Sequence, residues 1–309
     1  MHKRQSQCQK SQEVTVMFIL LLGLKATVLL VYSWLEALVK FFVPKRRKSV
    51  SGEIVLITGA AHGLGRATAY EFAKRQSKMV LWDINKQGVE ETAEECRKLG
   101  TTAHAFVVDC KNRDEIYRAA EKVKRDVGDV SILVNNAGVI TSTTLLSTKD
   151  AEIQNMFDVN ILAHYWTMKA FLPAMMEHNH GHIVTVASFS GLMAFPCMVT
   201  YSSTKFAAVG FHEGLKEELR VLGKDGIKST CLCPVIMNTG FFRLKSFVLF
   251  PTVEAEETAK ALMEGILTNQ EIIVFPSWMK FSPAISRILP KRVSNLFRDV
   301  EKEACQKLF

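Results

Sequence analysis

Residues 14–32 (VTVMFILLLGLKATVLLVY) are apolar all round with one charge, Lys25, and the run continues through Trp34 to Val43. Such a stretch reaches the length needed to cross a bilayer's hydrocarbon core. From Glu53 to about Pro276 the pattern changes to short apolar runs separated by longer amphipathic ones. The runs at 54–57, 79–82, 103–108, 132–134, 182–187, 228–233 and 272–275 predict strands. The stretches at 66–75, 86–99, 112–127, 161–178, 202–222 and 254–267 predict helices. Strands apolar on both faces and alternating with helices predict a doubly wound parallel sheet, an α/β fold covered on both sides.

Beyond this core, residues 277–309 interleave basic side chains with Trp278, Phe281, Ile285, Ile288, Leu289, Val293, Leu296 and Phe297. That pattern suits either an amphipathic contact with a membrane surface or a helix packed on the domain. The organisation read from the chain is therefore an apolar anchor over 1–50, an α/β domain over 51–276 and a basic amphipathic extension over 277–309.

The net charge of +8 first suggests a nucleic-acid partner, but its distribution excludes one. Residues 1–50 hold nine Lys/Arg and two Asp/Glu, leaving thirty against twenty-nine for the other 259 residues. The basicity flanks the apolar run, with His2, Lys3, Arg4 and Lys10 before it and Lys45, Arg46, Arg47 and Lys48 after Pro44. The positive-inside rule favours the C-terminal flank, which puts the domain on the cytosolic side. A single span, a re-entrant hairpin and an interfacial helix all fit; Lys25, Trp34 and Phe41 suit insertion into one leaflet or a lipid monolayer. A cleaved signal peptide fits less well, because the run outlasts the usual apolar region and lacks a small-x-small site at its end. A composition of 48% hydrophobic and 23% charged residues excludes a mainly disordered chain. Seven scattered cysteines with no C-x-x-C read as reduced thiols.

Within the α/β region, the first predicted strand runs into Thr58-Gly59-Ala60-Ala61-His62-Gly63-Leu64-Gly65 and then a helix. Glycines at 59, 63 and 65 permit a tight turn and aim a helix N-terminus at a pyrophosphate. Asp83 closes the second strand eighteen residues past Gly65, where a carboxylate would accept from an adenosine ribose and repel a 2′-phosphate. This favours NAD, although His62 and Lys86 lie close, and Asp83 would also suit a helix N-cap. Asp109-Cys110 follow the third strand and Asn135-Asn136-Ala137-Gly138 the fourth, at the sheet edge where ligands bind. Asp109 would bond an adenine amino group, and Asn135 would tie strands together.

Ser188 closes the fifth strand, and Tyr201 stands thirteen residues on, followed by Lys205. The i, i+4 spacing puts phenol and ammonium on one helical face. A tyrosine acts as a base near neutral pH only where cations favour its phenolate, here Lys205 and an oxidised nicotinamide. The reading is alcohol oxidation with Tyr201 as proton acceptor, or its reverse, and Ser188 bonding the substrate oxygen.

T-G-x-x-x-G-x-G at 58–65, N-N-A-G at 135–138, Asn160, Ser188 and Y-x-x-x-K at 201–205 stand together in one order. In these motifs, over roughly residues 51–276, the chain resembles the short-chain dehydrogenases/reductases. PKRRKSVSGEIVLITGAAHGLGR, VGDVSILVNNAGV and SSTKFAAVGFHEGL resemble the lipid-droplet group of 17-beta-hydroxysteroid dehydrogenases within that family. The resemblance implies that Asn160 completes a catalytic set with Ser188, Tyr201 and Lys205, positioning a water that links Lys205 to solvent. It implies NAD held by Gly59, His62, Gly63, Leu64, Gly65, Asp83, Asp109, Cys110, Asn135, Ala137, Gly138, Tyr201, Lys205, Val235 and Thr239, with Thr239 on the nicotinamide side. It further implies a lipophilic alcohol or ketone as substrate (steroid, retinoid or related lipid), a homodimer formed by the helices bearing Asn160 and Tyr201, and residence at the endoplasmic reticulum membrane or lipid droplets. The residues preceding the apolar run, and the stretches 189–199 and 241–251, depart from that group. An NADP-linked carbonyl reductase and a droplet scaffold with bound nucleotide and little turnover are the competing readings.

Three other features are read as structural. His178, His180 and His182 straddle a helix end, a loop and a strand start with no carboxylate or cysteine partner nearby, so no metal is expected. Cys231 and Cys233 share one face of a strand and read as buried packing. Pro173 falls inside an apolar helical run, where a kink is expected.

Overall fold

The computed structural model describes residues 2–43, 46–241, 250–293 and 295. The chain forms two compact units, Met1–Arg47 and Lys48–Phe309. Pro44 and Lys45 of the basic flank, Leu296 and Phe297 of the tail, and most of the stretch 241–251 lie outside the described residues.

The first unit is one helix, α1 (His2–Phe42). Its segment Thr15–Glu36, 22 residues at mean hydropathy 2.2, buries none of its residues within the protein. At 1.5 Å per residue it is about 33 Å long, close to the thickness of a hydrocarbon core.

The second unit is built on seven parallel strands in the order β3-β2-β1-β4-β5-β6-β7. They are β1 (Ile54–Thr58), β2 (Lys78–Asp83), β3 (Ala103–Val107), β4 (Ile132–Asn135), β5 (Gly181–Val186), β6 (Ile227–Pro234) and β7 (Ile272–Phe275). Each lies within a residue or two of an apolar run. Period-two alternation divides their side chains between two cores. Val55, Ile57, Met79, Leu81 and Val134 pack under α2 (Gly63–Ala73), α3 (Lys86–Lys98) and α8 (Ala255–Leu267). Leu56, Val80, Trp82, Leu133 and Ile183 pack under α4 (Arg113–Asp126), α6 (Ala163–His178) and α7 (Val199–Val221). Chain order reverses between β1 and β4, opening a crevice at their C-terminal ends.

Two features were not legible in the pattern. α5 (Asp150–Phe157) precedes α6, started by Glu152, whose carboxylate accepts the Lys149 N–H at 2.9 Å. A π-helical turn, Asp158–Leu162, joins α5 to α6 and carries Asn160. After β7, a 3₁₀ turn (Ser277–Phe281) leads into α9 (Ser282–Ile288). Met279 of that turn is buried, and Arg287 of α9 reaches the Leu192 carbonyl at 3.4 Å.

The unit begins at Lys48, three residues ahead of the boundary read from the pattern. The Lys48 N–H donates to Leu267 O at 2.8 Å, and the Val50 carbonyl accepts from Ser77 Oγ at 2.8 Å. Lys48 Nζ lies 2.6 Å from His182 Nδ1, whose Nε2 lies 2.9 Å from Thr230 Oγ1. Thr230 Oγ1 spends its proton on Gln270 O at 2.7 Å, which leaves Nε2 of His182 as the donor and Nδ1 as the acceptor from Lys48.

Candidate active site

β1 ends at Thr58 and the chain turns into α2. Gly59 (φ +68°) adopts the left-handed conformation that suits glycine. Gly65 is required by space, since a Cβ there would lie 2.0 Å from the Gly59 carbonyl oxygen. His62, at the start of α2, makes no side-chain cap. The first N–H groups of α2, at Gly63, Leu64 and Gly65, line the crevice and offer an anion site of backbone donors and helix dipole.

At the end of β2 the buried Asp83 accepts the Ala61 N–H through Oδ2 at 2.8 Å and the Asn85 N–H through Oδ1 at 2.9 Å. A carboxylate has about four lone-pair directions, so both oxygens keep capacity for a ligand's hydroxyls. The N-cap of α3 is Asn85, which accepts from Gly88 N at 3.1 Å, so capping is not the role of Asp83. Arg66 is drawn to α3, donating to Thr92 Oγ1 and Gly88 O at 3.0 and 3.2 Å. Past β3, Asp109 Oδ1 accepts from Lys111 N at 3.0 Å, and burial pushes the Cys110 thiol up to about 12.

After β4 the strand tie falls to Asn136 rather than Asn135. Asn136 Nδ2 donates to Thr58 O at 2.9 Å and Gly59 O at 3.1 Å, joining the ends of β1 and β4. The Asn136 and Ala137 N–H groups both donate to Thr58 Oγ1 at 3.0 Å. Asn135 turns into the core instead, its Oδ1 accepting from Thr167 Oγ1 at 2.8 Å, because strand alternation sends adjacent side chains to opposite faces. It is absent from the crevice wall, whereas Asn136, Ala137 and Gly138 line it.

Ser188, Tyr201 and Lys205 converge from β5 and α7. Ser188 Oγ accepts the Ser190 N–H at 3.1 Å, capping the turn Phe189–Gly191, and its own proton is left for the Tyr201 side. Tyr201 and Ser188 share a hydrogen bond. Lys205 Nζ donates to Val186 O at 3.0 Å and sits 5.7 Å from the centre of the Tyr201 ring. Gly191 lets this turn close on α7, since a Cβ there would lie 2.5 Å from the Lys205 carbonyl oxygen. Burial pushes the Tyr201 phenol up to about 12, the Ser188 hydrogen bond acting the other way, and pulls the Lys205 ammonium down to about 8. Burial thus favours both neutral forms, and a phenolate at neutral pH requires further positive charge beside the ring.

Asn160 is buried on the π turn and does not line the crevice. Its Oδ1 accepts from Val139 N at 2.8 Å, while Nδ2 donates to Val139 O at 2.9 Å and Thr204 Oγ1 at 3.0 Å. A Cβ on Gly138 would lie 3.4 Å from Asn160 Oδ1 and 3.8 Å from Lys205 Nζ, so both groups border this glycine.

One cavity of about 530 Å³ runs from the glycine turn past Asp83, Asp109 and Cys110 to Ser188, Tyr201 and Lys205, with Val235 and Thr239 also on its wall. Its other lining includes Phe189, Phe195 and Phe250. The rings of Phe195 and Phe250 stand nearly perpendicular at 4.9 Å, and Phe189 lies 5.6 Å from Phe250. These aromatics carry no motif, and only the cavity identifies them. The crevice suits a dinucleotide: backbone donors and glycines that a Cβ would fill at one part, a carboxylate at the end of β2, polar side chains at the other.

The three histidines do not act together. His178 Nε2 is 3.8 Å from Asp129, and His180 Nε2 is 3.0 Å from Glu53, so each has a carboxylate the sequence reading did not give it. His182 points inward to Lys48. Cys231 and Cys233 are both buried, their sulfurs 3.9 Å apart.

A family model of the short chain dehydrogenases matches residues 53–246. The chain is 60% identical to human (Homo sapiens) 17-beta-hydroxysteroid dehydrogenase 13 over 278 residues, covering 89% of this chain and 93% of that one. It is also 60% identical to estradiol 17-beta-dehydrogenase 11 of Pongo abelii over 264 residues, covering 85% and 88%. Among solved structures, a short-chain dehydrogenase/reductase from Burkholderia phymatum in complex with NAD superposes with a TM-score of 0.71 at 25% identity, covering 78% of this chain and 94% of that one. A metagenomic short-chain oxidoreductase in complex with NADP gives a TM-score of 0.64 at 25% identity, covering 74% and 97%. With the glycine turn, the parallel sheet and the Ser188, Tyr201 and Lys205 cluster, these similarities make the chain a member of the short-chain dehydrogenase/reductase family, of the 17-beta-hydroxysteroid dehydrogenase group.

Proposed function

We propose that this protein is an NAD-dependent dehydrogenase of lipophilic secondary or allylic alcohols working at a membrane or lipid-droplet surface. The observation that carries the reading is the cavity in which Ser188, Tyr201 and Lys205 share a wall with Phe189, Phe195 and Phe250. A polar reacting end within an apolar, aromatic enclosure suits a ligand with one oxygen to be oxidised and a large hydrocarbon remainder.

NAD, when bound, supplies a hydride acceptor and positive charge beside Tyr201. Gly59, Gly63, Leu64 and Gly65 bind phosphate, and Asp83 takes the ribose hydroxyls. With substrate present, Ser188 turns its proton from Tyr201 to the substrate oxygen and holds that oxygen against Tyr201. Tyr201 accepts the alcohol proton at its phenolate oxygen, and in reduction returns it. Lys205, fixed on Val186 O, keeps a cation at the tyrosine ring, and Asn160 holds the backbone at Val139 beside it. Asp83 and the turned-away Arg66 support NAD over NADP.

Membrane association is supported by Thr15–Glu36. In the second unit Trp278, Phe281, Ile285 and Ile288 are exposed beside Lys280, Arg287, Lys291 and Arg292, a composition suited to an anionic lipid surface. Exposed Tyr165 on α6 and Phe206 on α7 support pairing with a second copy.

The test is NADH formation by detergent-solubilised full-length protein with steroid, retinoid and fatty alcohols, beside Tyr201→Phe. The expected result is turnover of one class, lost in the variant. Silence across the panel with NAD bound would overturn the reading in favour of a scaffold.

A further inference from the structure

Behind Lys205 the core is polar. Asn135, Thr185 and Cys231 are register partners across β4, β5 and β6, so their side chains leave the same face of the sheet. That face is covered by α6, because Asn135 meets Thr167 there. His164 stands three residues before Thr167 on the same helical face. Asn135, His164 and Thr185 are each at most 2% exposed.

Among the described residues these groups have no partners. Both ring nitrogens of His164, Thr185 Oγ1 and Asn135 Nδ2 are buried without a hydrogen bond. Turning the Asn135 amide does not cure this, since only one of its ends meets Thr167. The Thr167 hydroxyl has a single proton and also faces the Ala163 and His164 carbonyls at 3.0 and 3.1 Å. Lys205 borders the same region. Its ammonium rests on the carbonyl of Val186, the neighbour of Thr185. Burial and, secondarily, the Lys205 charge push His164 down to about 3, so the imidazole is neutral and offers one donor and one acceptor. Buried polar groups with unspent donors and acceptors are satisfied in folded proteins by internal water.

We propose that Asn135, His164 and Thr185 hold buried water behind Lys205, and that His164 is thereby a positioning residue for the lysine. The kinetic part rests on the proton transfer proposed for Tyr201 and Lys205. The site is separate from Asn160, whose amide is taken up by Val139 and Thr204.

Two measurements on the detergent-solubilised full chain test it. A high-resolution structure of the NAD-bound protein should show ordered water within hydrogen-bond reach of a His164 nitrogen and Thr185 Oγ1. A dry site, with His164 held only by its edge-on contact to Phe211 at 6.0 Å, overturns the proposal. In kinetics, His164→Phe should lower kcat by about tenfold with KM nearly unchanged and shift the alkaline limb of the kcat–pH profile, while His164→Gln should restore most of the rate. A folded His164→Phe with the wild-type profile removes the positioning role. Thr185→Val, which keeps the volume and deletes the hydroxyl, carries the same test if His164→Phe fails to fold. Absence of wild-type turnover would count against the proposed function, and the water structure would still decide this site.

Discussion

The Asp83 carboxylate accepts the Ala61 N–H at 2.8 Å, so the group expected to select the cofactor also holds the glycine-rich turn in shape. The second oxygen, on Asn85 N, extends the hold to the start of α3. On the cofactor role proposed for Asp83, cofactor choice and turn geometry are coupled through one side chain.

Asp83→Asn keeps one acceptor oxygen and replaces the other with a donor facing a donor. We expect NADH affinity to fall about tenfold and the preference over NADPH to narrow, with a lower Tm, since hydrogen bonds to charged groups are worth about 1.5–3 kcal/mol. Fluorescence titration with both reduced cofactors checks the first two, and thermal melting the third. An unchanged preference would contradict the role given to Asp83.

Asn136→Ala removes the two bonds to the Thr58 and Gly59 carbonyls. The loss is expected to be about 1–3 kcal/mol, with weaker cofactor binding because the turn loses its brace. Asn135→Ala should leave cofactor affinity closer to wild type. Denaturant melts with and without NAD distinguish the two.

Truncation places the domain boundary. A chain beginning at Lys48 should fold and bind cofactor without α1. One beginning at Ser51 loses the Lys48 N–H bond to Leu267 O, the Lys48–His182 contact and the buried Val50. It should melt several degrees lower, a degree of Tm being a fraction of a kcal/mol in a domain of this size. Persistent liposome binding by the Lys48 chain would assign a membrane contact to the Trp278–Ile288 surface.

Acid sensitivity follows from three histidines buried in neutral form. Burial pushes His164 down to about 3, His212 to about 4 and His182 well below 6.5. Each folded-state value lies below the unfolded one, so the stability these groups confer is complete above about 6.5 and lost as pH falls from there toward the folded values. Each contributes on the order of 1 kcal/mol per pH unit in that window. Melting between neutral and mildly acidic pH should show a steep loss, shallower in His212→Gln.

The order of elements, the parallel sheet and the Gly59, Asp83, Ser188, Tyr201 and Lys205 stations were readable from the chain because they depend on local matters: the period of apolar positions, the demand of a tight turn for glycine, and fixed spacing along one helix. So was the apolar segment of α1, which needs only length and composition. Tertiary structure decided what depends on residues distant in sequence. Whether Asn135 or Asn136 ties β1 to β4 turns on which face of the sheet each side chain leaves. The helix preferences of residues 150–157, which differ by at most about 0.7 kcal/mol per residue, did not announce α5, which Glu152 and packing against α7 fix in place. The enclosure by Phe189, Phe195 and Phe250 exists only because loops after β5 and β6 meet, and the solitary His164 gains its place behind Lys205 only when α6 closes over the sheet.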